Sequence, residues 1–321
     1  MNKLAYSLLK DSGQNKIYIL MIVLRLPFDA LRAIYTANML EKFLRAIDSG
    51  TYTDLIKNFV IFLILGILLF GYNMLIWMTI AVKTSVGFQN GVKKNVFNAL
   101  IKMSVSEMSA ESVGDRITRI NNDTDTACAY LNAPVNYMHM VIALFNVIAM
   151  VILMGFLNPV MLLLTVSVSG LFFLINTGLV TRKITEILTK SRAIYAKLTG
   201  MISPMIMGKD AVKIYDANNY LIEKAEENSQ KIMKQNMKAW QRTAISSFVM
   251  TLSGGLGYLI LFIAGDKMMG KSIEDFAKLT KITQYRANMI MSIGLVNNCI
   301  VNMRGNLVGV KKVTEITKEE V

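Results

Sequence analysis

The sequence predicts an all-α membrane protein, with six transmembrane helices and two long helical hairpins on one side of the bilayer. Three observations predict it. Of 321 residues 53% are hydrophobic, and the mean hydropathy is +0.43, far above a soluble domain of this length. The apolar residues gather in runs that can cross about 30 Å of hydrocarbon, which takes roughly 20 residues. Between these runs lie polar, basic stretches nearly free of helix breakers, and the chain carries 35 Lys and Arg against 22 Asp and Glu, a net charge of +13. High hydropathy and a large positive excess coexist when the two are segregated between lipid and one aqueous side.

In chain order, residues 1–16 read as a short interfacial helix, because Lys3, Lys10 and Lys16 stand beside Leu4, Tyr6, Leu8 and Leu9. No small-residue cleavage site follows a compact apolar core there, so a cleaved signal peptide is not expected. The six-span body is expected over 17–308. Span one covers 17–47 and carries Arg25, Asp29 and Arg32; a short turn at 48–53 leads to span two, 55–82. Asn158-Pro159 separates span three, 141–157, from span four, 160–180, because proline cannot continue a helix through its own N–H. Span five covers 244–264, and span six, 287–301, is interrupted by Asn288, Asn297 and Asn298.

The stretches 83–132 and 181–243 repeat apolar residues at helical spacing, as in Val92, Val96, Leu100 and Met103, and in Ile184, Leu188 and Ile194. Span two and its extension run to about residue 107 without proline, which is roughly 80 Å of helix. About 45–50 Å of it would stand beyond the bilayer. Most Lys and Arg lie in the amino-terminal stretch, the two polar stretches and the carboxyl tail, which puts both termini and both hairpins in the cytoplasm and the chain in the cell membrane. Lys267, Lys271, Lys278 and Lys281 run against this bias.

Motifs at the hairpin tips sharpen the reading. Gly114-Asp115-Arg116-Ile117-Thr118-Arg119-Ile120-Asn121-Asn122-Asp123 resembles the first intracellular segment of the ABC exporter transmembrane domain, the type I exporter or type IV fold. Gly208-Lys209-Asp210-Ala211-Val212-Lys213-Ile214-Tyr215 resembles that family's second coupling helix. Gly309-Val310-Lys311-Lys312-Val313-Thr314-Glu315-Ile316, within 309–321, is similar to the linker leading to a nucleotide-binding domain, with Lys312 in place of the usual Arg. Arg116 stands where the family has an aliphatic residue, and Pro204 where a Glu is common. The resemblance implies that Ser109, Ala110, Glu111, Ser112, Val113, Gly114 and Asp115, with the 208–215 segment, couple to a nucleotide-binding domain in the same or a separate chain. It further implies a homo- or heterodimer, one translocation pathway for an unknown substrate, and ATP with Mg bound on that partner domain. No catalytic, cofactor or metal residue is then expected in this chain, which stops where an ATPase domain would begin.

Charged and amide side chains inside apolar runs are functional candidates. Arg25, Asp29 and Arg32 fall on one helix face; they form either an internal ion-pair ladder or a wall of a hydrated cavity. Asn132, Asn136, His139 and Asn146 form a stripe that serves either helix–helix hydrogen bonds or the same cavity, and Arg286, Asn297 and Asn298 complete the candidate lining. Arg304 reads as a snorkelling residue. One histidine and two cysteines leave no basis for a His-dependent triad, a metal centre or a disulfide framework, and the hydropathy argues against nucleic acid as a partner. Gly265 to Ser272 satisfies the Gly-x4-Gly-Lys-Ser pattern, but an apolar run too long for one strand precedes it, so a P-loop is rejected. A non-transporting sensor or regulator on the same scaffold stands as the alternative to a transport subunit.

Overall fold

The computed structural model describes residues 3–102, 119–131, 136–176, 178, 182–207, 214, 218–268 and 272–318. Among these every regular element is helical and no strand occurs. The helices are α1 (Lys3–Asp11), α2 (Asn15–Arg25), α3 (Phe28–Asp48), α4 (Tyr52–Leu75), α5 (Val82–Lys102), α6 (Thr124–Ala129), α7 (Tyr137–Leu157), α8 (Pro159–Ile175), α9 (Arg182–Met207), α10 (Asn218–Met268) and α11 (Ile273–Lys318). Two π-helical stretches, Ile76–Ala81 and Arg119–Asp123, join α4 to α5 and lead into α6. The chain forms two compact units, Met1–Leu162 with Ala264–Val321, and Leu163–Ile263.

Three helical stretches among the described residues are long and apolar enough to cross a membrane: Tyr52–Lys102, Tyr137–Leu157 and Asn219–Lys267. Pro159–Ile175 is apolar but shorter. The first and sixth expected spans do not reach that measure. The first is two helices, broken at Leu26 and Pro27, because the proline lacks an N–H for the preceding turn. The Tyr72 hydroxyl of α4 donates to the Leu24 carbonyl at 2.7 Å, satisfying an acceptor beside the break. The sixth lies inside α11, a single helix of 46 residues rich in amides and charges. The junction expected at about residue 243, between the second polar stretch and span five, lies inside α10, one helix of 51 residues.

In the first unit the short connections follow their sequence chemistry. Gly50, at φ +64°, closes α3 in the left-handed conformation that glycine adopts without a Cβ clash. Asn158 is extended, the conformation favoured before proline, and its Oδ1 accepts the N–H groups of Val160 and Met161 at 3.0 and 3.1 Å, capping α8. Ser272 caps α11, accepting the Asp275 N–H at 3.2 Å while donating to the Asp275 carboxylate at 2.6 Å. The Gly265–Ser272 pattern is thus preceded by a helix, which cannot form a phosphate cradle.

The face of α4 is apolar and open: Phe59, Leu63, Ile67 and Phe70 are all exposed, and only 6% of its most apolar window is buried. Such a surface suits lipid, which has no hydrogen bonds to offer. Tyr35 of α3 stacks on Phe62 of α4 with ring centroids 5.3 Å apart and donates its hydroxyl to the Phe62 carbonyl. A cleft of about 480 Å³ opens between these helices, lined by Tyr35, Asn38, Met39, Glu41, Lys42, Arg45 and Leu65. Beside it Glu41 accepts from Arg45 at 2.8 Å and from Lys281 of α11 at 2.7 Å. Lys278 pairs with Glu274 at 3.4 Å. Two of the lysines that run against the positive bias are therefore matched by carboxylates.

The main apolar core sits where α1, α2, α5, α6 and the end of α11 meet. Phe88, Val92, Val96, Ala99 and Leu100 present one buried face of α5. Three of these are the residues whose spacing predicted the helix; Met103 lies outside the described residues. Ala5, Leu8 and Leu9 of α1 are buried in the same core, so the apolar face expected for a membrane interface is packed on protein. Val310, Val313 and Ile316 enter it from α11. Gly309 makes this possible: a Cβ there would lie 2.8 Å from the Ala127 nitrogen and from the Thr126 side chain.

The second unit holds α9 and most of α10. Ser191 donates to Asn236 at 2.8 Å, and Asn228 reaches Met201 sulfur at 3.7 Å. Among the described positions of α9, Ser191 and Leu198 are buried and Leu188 is exposed. Lys231 and Lys224 donate to Glu227 at 2.6 and 3.1 Å, and these hydrogen bonds push its carboxyl down to about 2. The trio is fully exposed helix-surface pairing and contributes little stability.

Gly309→Ala forces the α6 backbone away from α11 and is expected to cost about 1–3 kcal/mol. Thermal unfolding of the purified chain in nanodiscs checks this. Gly294→Ala on the same helix, where a Cβ meets nothing within 4 Å, serves as the neutral comparison.

Candidate functional site

Two places gather the sequence's candidate residues. The first is the junction of α5, α6 and α11. Lys312 donates to both oxygens of Asp123 at 3.1 and 3.2 Å, joining the last residue of the first intracellular motif to the linker-like segment. Sequence separation between them is large, and only the fold brings them together. Gln89 donates to Asp125 at 2.6 Å, and Lys93 pairs with it at 3.1 Å. Burial pushes the Asp125 carboxyl up, but these two donors outweigh it and hold the group below the usual aspartate range. Burial pushes the neighbouring Cys128 thiol up to about 12, and the charge of Asp125 adds to this, so Cys128 is an inert core residue. The Tyr18 hydroxyl donates to the buried Leu131 carbonyl at 2.7 Å, tying α2 to the end of α6.

Segment 309–316 is therefore part of a rigid helix rather than a loose connection. Of the expected coupling residues, Ser109, Ala110, Glu111, Ser112, Val113, Gly114 and Asp115 lie outside the described residues, as do Gly208, Lys209, Asp210, Ala211, Val212, Lys213 and Tyr215. Ile214 is described, and its side chain is exposed.

The second place is within the apolar helices. Arg25 of α2 lays its guanidinium over the Trp77 ring, 5.1 Å from the centroid. His139 of α7 meets the edge of the same ring, with centroids 6.3 Å apart. Trp77 stands in the π-helical stretch Ile76–Ala81, where the widened turn shifts the register of a helix that is otherwise continuous for 51 residues. Sequence reasoning named Arg25 and His139 but missed Trp77. The available signal was a lone tryptophan in the middle of an apolar run.

Asp29 pairs with Arg32 at 3.8 Å, not with Arg25, and Arg32 is exposed. The ladder expected from Arg25, Asp29 and Arg32 thus stops short of Arg25. Cation–π contact is worth about 0.5–2 kcal/mol. A charge at mid-membrane costs about 2.5–3.5 kcal/mol on insertion scales. The indole face alone leaves Arg25 under-compensated.

The asparagine stripe is only partly a stripe. Helix α7 starts at Tyr137, and Asn136, buried, has a non-helical backbone before it; Asn132 lies outside the described residues. Asn146 donates to Ser292 of α11 at 2.7 Å in a buried site. Such bonds average about 0.6 kcal/mol in membranes, so this one sets the register of α7 on α11 more than it stabilises. Arg286 is buried in α11, Asn297 is half-buried and Asn298 exposed. None of the candidate cavity residues lines the cleft between α3 and α4. Among the described residues no group of three His, Cys, Asp or Glu side chains could hold a metal ion.

The described residues form an all-helical domain in which three stretches are long and apolar enough to cross a membrane. The family model described as "ABC transporter transmembrane region" matches residues 17–293 of the 321. The chain belongs to this family. It is an integral membrane protein, a component of membrane transport, and membership implies association with nucleotide-binding domains.

Asp125 carries a depressed carboxyl, so its contribution is present above the ordinary aspartate pKa of about 3.9 and is lost as pH falls through the lower folded value. At about half exposure this amounts to no more than about 1 kcal/mol. Asp125→Asn is expected to lower stability slightly at pH 7 and to leave a flatter stability profile below pH 4 than the wild type. Unfolding midpoints across pH 3–7 check both signs.

Proposed function

We propose that this chain forms half of the translocation pathway of an ATP-driven exporter. Family membership carries the reading. The kinked α2–α3 pair and α11 would join α4, α7, α8 and α10 to make six spans. A second such domain, identical or related, would complete the pathway. Both termini and both hairpins would lie in the cytoplasm, with the chain in the cell membrane. ATP and Mg would bind on the associated nucleotide-binding domain, in the same or a separate chain, and hydrolysis would occur there.

The lengths of two helices favour such coupling. Tyr52–Lys102 and Asn218–Met268 each have 51 residues, about 77 Å at the rise of an α-helix. About 45 Å of each would extend past a 30 Å hydrocarbon core. A stiff rod of that length carries a displacement at its tip into the membrane. The segments at Gly114-Asp115 and 208–215 would be the tips that a nucleotide-binding domain grips. The ion pair Lys312–Asp123 would lock the first tip's base to α11, so that movement of one drives the other.

Substituting Gly114 and Asp115, or Lys209 to Val212, should abolish transport in proteoliposomes while ATP hydrolysis by the complete assembly persists. Fully coupled outward transport by these variants would refute the reading.

A further inference from the structure

We propose that Arg25, Trp77 and His139 form a binding subsite for an oxyanion headgroup. Three independent features meet there. The Arg25 guanidinium lies over the Trp77 ring, yet no carboxylate is within ion-pair range, and its Nε is buried with no hydrogen-bond partner among the described residues. His139 packs against the same ring, and its Nδ1 is likewise buried and unsatisfied among the described residues. The indole that both touch stands in a π-helical turn, a distortion that costs regular hydrogen bonding and recurs at functional sites.

Charge counting points to the sign of the ligand. Arg25, Asp29 and Arg32 flank the break between α2 and α3, and Asp29 takes Arg32 as its partner at 3.8 Å. This trio carries one net positive charge, and Arg25 is its member without a direct ion pair. A guanidinium offers a planar fork of donors that fits two oxygens of a phosphate or carboxylate, and a buried imidazole nitrogen adds a third point of contact. Arg25, Trp77 and His139 are all half-buried, so an oxyanion can approach their exposed parts, and a side-chain shift that uncovers Arg25 Nε and His139 Nδ1 accompanies binding. Met74, exposed and three residues before Trp77 at the end of α4, supplies apolar surface beside the indole for a hydrocarbon tail. An anionic amphiphile satisfies the whole arrangement; a free inorganic anion satisfies its polar half. A role for the subsite in cargo recognition rests on the transport reading, but binding itself does not.

The chain has two tryptophans, so Trp240→Phe leaves Trp77 as the sole emitter. The full chain carrying this change is placed in phosphatidylcholine nanodiscs and titrated with dodecyl phosphate, inorganic phosphate and dodecyl maltoside. Dodecyl phosphate should give a saturable change in Trp77 emission. Arg25→Gln should raise its Kd by about tenfold or more, and Arg25→Lys, which keeps the charge but loses the fork, by less. His139→Gln, a milder change, should raise it about threefold and keeps the test valid if Arg25→Gln disturbs folding, as judged by unliganded emission and size exclusion. Inorganic phosphate displacing the probe at similar concentrations assigns the site to a free anion; displacement only at much higher concentrations assigns it to an amphiphile's headgroup. No saturable response to either anion overturns the proposal. So does an equal response to dodecyl maltoside, or a Kd unmoved by Arg25→Gln and His139→Gln. Loss of anion binding with coupled transport intact would sink the subsite alone. Anion binding without any coupled ATPase would sink the transport reading alone.

Discussion

Helix α11 can lie on α6 only because Gly309 has no side chain. The approach leaves 2.8 Å between an imagined Cβ and the Ala127 nitrogen, less than any real Cβ contact tolerates. From that contact the neighbouring geometry follows. Val310, Val313 and Ile316 drop into the core beside Phe88, Val92 and Val96, and the Lys312 ammonium reaches Asp123. Helix α1 closes the same core with Ala5, Leu8 and Leu9, while Gly91 admits the turn after α1 at 2.8 Å from Ser12. Both ends of the chain are thereby fastened to the base of the helix that leads toward the first intracellular motif.

A second constraint acts inside the apolar helices, where each polar group must find a partner because lipid supplies none. Asn146 finds Ser292, Tyr72 finds the Leu24 carbonyl beside the proline break, and Glu41 finds both Arg45 and Lys281. These pairs are local solutions that orient one helix on another. Arg25 is different in kind. Its neighbours are an indole face and an imidazole edge, which accept positive charge weakly and provide no counter-ion.

Much of the fold was legible in the residues. Runs of apolar residues predicted α4, α7, α8 and the apolar half of α10, because lipid imposes a length and an unbroken backbone ladder. The α5 face was legible through Val92, Val96 and Leu100, since packing against a core demands helical spacing. Span one was misread as continuous because its hydropathy outweighed the one proline that breaks it. Ile184, Leu188 and Ile194 predicted the helix α9 by their spacing, but amphipathic spacing does not say which residues find a partner, and Leu188 is exposed while Ser191 and Leu198 are buried. Trp77 was passed over because an aromatic residue in an apolar run carries no periodic signal. The coupling segments rest on sequence motifs alone, since they lie outside the described residues.

Composition, hydropathy and local motif by themselves determined the membrane environment, the helical class and the membership of an ABC transporter family. These follow from additive, short-range physics: transfer of side chains to lipid, backbone hydrogen bonding within a helix, and residue order within a motif. Only the tertiary structure decided that Asp123 meets Lys312, that Asn146 meets Ser292, and that Arg25 and His139 share one indole. Those pairings depend on where distant helices touch, on a proline break and on the π-helical stretch that carries Trp77. Each depends on how whole helices dock, and no local stretch of residues encodes that.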